Sequence, residues 1–308
     1  MPPSAPEPAV ERRGYAFMVA SSASFAVMGL LVKLATARLP FVEVSFFRAF
    51  GGLLLTLAAM ALLRLPATAR EPHLLIARGV LGWAALTTYF LAIAGMPLAD
   101  AVLLNYTSPF FTALLAAAVL GERLDARTLG CIAVATGGVA LVVGPSGAFS
   151  GPYAAAALGS ACLAALAYVT VKRANALNPP WVIVAWFSAV ASLLTAPLLI
   201  GHWVAPAPRE WALLAGAAAT GTLAQVLMTY GYKYARASTA SAITLTTPLL
   251  AALLAIGILG QVPTWGTWIG GALIVAAGLA LARGFEPLRV EPGVGHREEH
   301  QGREGDAT

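Results

Sequence analysis

The sequence predicts an all-α integral membrane protein, with ten transmembrane helices arranged as two inverted five-helix repeats. Three observations lead there. Of 308 residues, 59% are hydrophobic and only 11% charged, whereas a soluble domain carries about 25% charged residues. Ten apolar runs follow one another, at about 14–35, 41–63, 74–95, 98–120, 127–144, 152–173, 180–201, 209–232, 237–259 and 265–283. Runs of this length suit a bilayer, which needs about 20 apolar residues per helix. Finally, the chain matches itself at a shift of 139 residues.

Taken in order, residues 1–13 form a cytoplasmic N-terminal segment, Pro- and Ala-rich and ending on Glu11-Arg12-Arg13. The run behind these bases is too long for a signal peptide's apolar centre, and further spans follow it, so it is a retained first helix. Residues 14–144 hold the first repeat and 152–283 the second. Short turns marked by Pro or Gly separate the spans: Pro40, Pro97, Gly144-Pro145, Asn178-Pro179-Pro180, Pro206 and Pro263. The polar tail 284–308, rich in Glu and Arg, reads as disordered and cytoplasmic.

The repeat is anchored by unusual residues. Pro109 falls on Pro248, Thr107 on Thr246, Asn105 on Thr244 and Ser108 on Thr247; Ser21 falls on Ser160, Lys33 on Lys172, Pro40 on Pro179 and Gly82 on Gly221. Beyond residue 262 the shift becomes 140, and Gly130 and Gly138 meet Gly270 and Gly278. Five spans is an odd number, so the second copy enters the membrane upside down. Inverted repeats are a signature of secondary transporters, which bind substrate near the midplane where the repeats meet.

Orientation follows from Lys and Arg. With the N-terminus inside, thirteen bases flank the cytoplasmic ends (Arg12, Arg13, Arg64, Arg70, Arg78, Arg123, Arg127, Lys172, Arg173, Lys233, Arg236, Arg283 and Arg289). Only Lys33, Arg38 and Arg209 lie on the other side. The excess places both termini in the cytoplasm, in a multi-pass protein of the inner membrane.

The same distribution accounts for the net charge of +5 without nucleic acid, because no basic patch is interleaved with aromatics. Cys131 and Cys162 sit in apolar runs as small hydrophobes, and His73, His202, His296 and His300 fall in loops or the tail, outside the spans. The chain has no phosphate-binding GxxxxGK[ST] loop, which argues against direct ATP drive. No catalytic group, metal or cofactor is expected. A membrane enzyme acting on lipid-linked substrates would need clustered His, Asp or Glu at a membrane surface, and beyond Glu122 and Asp125 the chain pairs no acids. A non-transporting scaffold is the other alternative. The expected partners are the lipid bilayer and a small-molecule substrate. Gly266-x-x-x-Gly270 offers a small-residue face, either for a homodimer or for close packing within one chain.

Nine residues are candidates for substrate binding. Arg48 lies seven residues into the second span, where a charge costs about 2.5–3.5 kcal/mol unless paired or hydrated; its fork suits a carboxylate or phosphate. Pro109 and Pro248 interrupt their helices near the midplane, each freeing the carbonyl four residues back, that of Asn105 or Thr244. Asn105 with Ser108, and Thr244 with Thr247, each share a helix face at i, i+3. Trp83 and Gln225 lie near the middle of their spans and are expected as cavity walls. Asp100 suits a helix N-terminus and is a lesser candidate for proton coupling.

Several stretches together resemble the EamA type of the drug/metabolite transporter superfamily: Glu43-Val-Ser-Phe-Phe-Arg48, Arg78-Gly-Val-Leu-Gly82, Met96-Pro-Leu-Ala-Asp-Ala101, Ser108-Pro-Phe-Phe-Thr112 and Leu120-Gly-Glu-Arg-Leu124. The resemblance covers about 14–283. It implies two inverted five-helix halves around a central cavity, moving a small polar or anionic metabolite of the amino acid, organic acid, amine or vitamin class by alternating access. The second copy departs from the pattern in having Gln261 where the first has Glu122.

Overall fold

A computed structural model of the chain describes residues 8–108, 110–111, 115, 126–143, 151–234, 244 and 246–284. Among the described residues every regular element is helical: α1 (Pro8–Ala35), α2 (Phe41–Leu62), α3 (Pro72–Gly95), α4 (Leu98–Asn105), α5 (Ala126–Val143), α6 (Pro152–Asn175), α7 (Pro180–Thr195), α8 (Pro208–Tyr234), α9 (Thr246–Leu259) and α10 (Trp265–Gly284). Helices α1, α2, α3, α6, α8, and α7 with the 3-10 turn Ala196–Leu199 behind it, are long and apolar enough to cross a bilayer. The chain is therefore an all-α, multi-pass membrane protein. Leu54, Leu193, Leu253 and Ile269 are each more than half exposed, as side chains facing lipid must be.

Proline sets most of the boundaries. Pro40, Pro97 and Pro179 cap α2, α4 and α7, and Pro72, Pro152 and Pro180 occupy first turns. There the missing N–H costs nothing and the fixed φ favours the helix. Pro197 has the opposite effect. The run expected to reach residue 201 leaves α-helix at Thr195 and tightens into the 3-10 turn. Gly260, at φ +64°, closes α9 in the left-handed region that glycine enters freely.

The fourth span breaks near the place its proline predicts. α4 is eight residues long, Tyr106 and Thr107 form a turn, and Ser108 is helical again. Pro109 itself lies outside the described residues, as do 112–114 and 116–125, which hold Glu122, Arg123 and Asp125. Pro248 is buried in α9, four residues beyond Thr244, which is itself helical. Residues 237–243 and 245, assigned by sequence to the same span, lie outside the described residues.

Helix contacts come in pairs. α1 lies along α8 as α6 lies along α3; α2 meets α8 as α7 meets α3; α1 meets α9 as α6 meets α4; and α2 with α7, α4 with α9, and α5 with α10 pack on one another. Single contacts follow the same rule under the 139-residue shift. Ser21 Oγ donates to Ala224 O at 2.9 Å, and Ser160 Oγ to Ala85 O at 2.6 Å. A Cβ on Gly51 would lie 2.8 Å from that of Ala218, and one on Gly79 2.6 Å from that of Val190. Gly266 and Gly270 approach Leu141 and Gly138 of α5, so that small-residue face is taken up within the chain.

Polar ties gather at the end of the bundle where α1 gives way to α2 and α9 to α10. Lys33 Nζ donates to Ile93 O and Met96 O, both at 2.8 Å, and so caps the C-terminus of α3 where a cation suits the dipole. Arg38 pairs with Glu210. The Val204 N–H donates to Glu43 Oε2 at 3.0 Å, and Thr267 Oγ1 to Asp100 Oδ1 at 2.8 Å. Gln261, the departure from the first repeat, accepts the Leu98 N–H at 3.2 Å and caps α4 with an uncharged group.

Candidate functional site

Two arginines occupy the centre of the helix bundle. Arg78 lies six residues into α3 and is 3% exposed; Arg48, seven residues into α2, is 1% exposed. Glycines give both guanidinium groups room. Gly82 stands one turn beyond Arg78, where any side chain would overlap Arg78 Nη1 and the Phe187 ring. Its repeat mate Gly221 does the same for Arg48, whose Nε would lie 2.8 Å from a Cβ there.

Both cations share one aromatic ring. The Cζ atoms of Arg78 and Arg48 lie 4.5 Å and 5.3 Å from the centroid of Phe187, on α7. Cation–π attraction of this kind contributes about 0.5–2 kcal/mol, most where water is excluded. Each arginine also has one anchor on α8: Arg78 Nη2 donates to Gln225 Oε1 at 3.0 Å, and Arg48 Nη2 to the Gly221 carbonyl at 2.9 Å. These anchors are neutral. Nε and Nη1 of both residues are buried without a partner. Among the described residues no carboxylate pairs with either one, the ion pairs being Arg38–Glu210 and His73–Glu71.

Arg78 opens on a cavity of about 60 Å³ between α1, α3, α4, α6, α7 and α8. Gln225, Asn105, Tyr106, Tyr89, Tyr168, Ser160 and Phe187 line it, with Phe25, Met28 and Leu86 as its apolar wall. Asn105 Nδ2 donates to Ser160 Oγ at 2.7 Å, and the bond from Ser160 to Ala85 O fixes that hydroxyl in turn. The cavity thus offers the Arg78 guanidinium, an amide from each half of the chain and phenol groups, with Arg48 against the same Phe187 ring and, among the described residues, no carboxylate paired with either arginine. Such a set binds anions.

Of the nine candidates, Asn105 and Gln225 line this cavity, and Arg48 stands behind Phe187. Trp83 turns toward α7, where its Nε1 donates to Thr195 Oγ1 at 2.9 Å. Ser108, Thr247 and Pro248 are buried and Thr244 half-buried, all outside the cavity lining; Pro109 lies outside the described residues. Glu43, five positions before Arg48, is engaged by Val204 instead. Arg78 is the residue sequence reasoning missed, because it was counted among the cytoplasmic flanking bases. A signal was present: it falls inside the run 74–95, one turn before a glycine that recurs in the second repeat.

The EamA-like transporter family matches the chain twice, over residues 12–144 and 152–283. The pseudopaline exporter CntI of Pseudomonas aeruginosa is 36% identical over 284 residues, 88% of this chain and 96% of its own length. The riboflavin transporter of Rhizobium johnstonii is 26% identical over 290 residues, 90% of this chain and 93% of its own. A solved crystal structure, 23% identical, superposes with a TM-score of 0.63 over 90% of this chain and 99% of that one, and shares the fold. Members of the matched family are transporters rather than enzymes. The chain belongs to the EamA-like transporter family and is a secondary transporter of a small polar organic solute.

Proposed function

We propose that this transporter moves a carboxylate-bearing metabolite out of the cell through the Arg78 cavity, by alternating access. The observation that carries the reading is Arg78 itself. A guanidinium fully buried against a neutral amide, with two nitrogens unpaired beside a cavity, recovers part of its desolvation cost when something anionic arrives. Asn105, Gln225 and the tyrosines then orient the rest of the solute. The cavity of about 60 Å³ admits a few waters and is far below the ~300–1,000 Å³ of a typical ligand site. The solute therefore enters only when helices part. The likeness to the pseudopaline exporter over 96% of its length supports outward movement.

The rest of the architecture fits this cycle. The paired contacts Ser21–Ala224 with Ser160–Ala85, and Gly51–Ala218 with Gly79–Val190, support ten spans in two inverted repeats, 14–144 and 152–283. The excess of bases, still twelve against three once Arg78 is set aside, supports an inner-membrane protein with both termini cytoplasmic. The polar ties then lie on the outer face and hold it shut, while Arg48, Asn105, Ser108, Thr244, Thr247 and Pro248 surround the moving boundary. The packing of Gly266 and Gly270 on α5 supports close packing within one chain as the role of that face.

Liposomes containing the purified protein, loaded with labelled glutamate, citrate or a neutral sugar, test the reading. Glutamate or citrate should leave faster than from protein-free liposomes, with the sugar retained. Release of the sugar or of a labelled amine, without either acid, would overturn it.

A further inference from the structure

We infer that the solute carries two carboxylate groups, one met by Arg78 and the other by Arg48. This rests on the reading above that the Arg78 cavity holds the transported solute. Charge balance is the first argument. Among the described residues two guanidinium groups are fully buried, and one carboxylate would neutralise only one of them. Geometry is the second. Both arginines are anchored on α8, at Gly221 and Gln225, four residues and so about 6 Å apart along the helix. Because both touch the Phe187 ring, their Cζ atoms lie within about 10 Å of each other. A short dicarboxylate fits within that span, one carboxylate to each guanidinium.

Phe187 explains why only Arg78 borders the cavity. Its ring lines the cavity and also contacts Arg48, which is absent from the lining. Turning the ring aside joins Arg48 to the same space. The first carboxylate binds Arg78 directly; the second reaches Arg48 only when Phe187 yields. A monocarboxylate therefore engages half of the site.

The test is thermal denaturation of the full chain in nanodiscs, titrated with succinate, glutarate, butyrate and inorganic phosphate at constant ionic strength. The wild-type protein should bind succinate or glutarate at least tenfold more tightly than butyrate or phosphate. Arg48→Gln should bring dicarboxylate affinity down to that of butyrate, and Arg48→Lys, which keeps the charge but loses the fork, should fall between that and wild type. A purely structural arginine would instead lower the melting temperature without ligand and leave the preference intact. Equal binding of succinate, glutarate and butyrate would overturn the two-carboxylate inference alone. So would preferential binding of phosphate, or a preference that survives in Arg48→Gln. Failure of every carboxylate to bind would overturn the proposed function as well. The wild-type comparison stands even if both variants fail to fold.

Discussion

Arg78→Gln is expected to reduce carboxylate transport by about 10–150-fold, corresponding to the ~1.5–3 kcal/mol of a charged hydrogen bond, and to leave the folded protein no less stable. The second half makes the test specific. Arg78 is buried against Phe187 and the neutral Gln225, and removing an uncompensated buried charge recovers its desolvation cost. Arg78→Lys should fall between the two. Lysine keeps the charge but loses the planar fork and its fit over the ring. Efflux of labelled glutamate or citrate from proteoliposomes, read beside the melting temperature in detergent, separates the contributions. Normal efflux by Arg78→Gln would remove this residue from the binding site.

Gly79→Ala should act through the packing of α3 on α7. A Cβ at this position would meet Cβ, Cγ2 and Cγ1 of Val190 at 2.6, 2.8 and 2.9 Å, distances that force the two helices apart. Overpacking of this kind costs about 1–3 kcal/mol. Because the two arginines and Phe187 meet beside this crossing, transport should fall together with the melting temperature. Val190→Ala in the same chain should restore both, and the pair should be strongly non-additive, as expected of residues in contact. A Gly79→Ala protein that melts and transports like wild type would show that the crossing has slack.

The all-α, multi-span class, the helix boundaries at prolines and the matching positions of Ser21 with Ser160 and of Gly82 with Gly221 were legible in the sequence, because apolar runs, proline chemistry and repetition all leave marks in one dimension. Rotation about each helix axis was not. In a bilayer most faces of a helix are apolar, so no polar stripe marks the side that faces inward. That is why Trp83, near the middle of its span, turns toward Thr195 rather than the cavity, while Gln225 turns inward. Arg78 was misplaced for a related reason. It lies close enough to the start of α3 to resemble a flanking base, and only packing against Phe187 distinguishes it from one. Asn105 was legible because the break before Pro109 needs polar neighbours at that depth.

The unpaired arginines also bear on the kinetics of the transport cycle. A carrier must return after release, and here the empty form would reorient with two positive charges unneutralised in its interior. The loaded form would move with those charges matched. The barrier to reorientation is then higher without cargo, and the return stroke limits turnover. Supplying solute on the far side relieves that limit, so one-for-one exchange should run faster than net efflux.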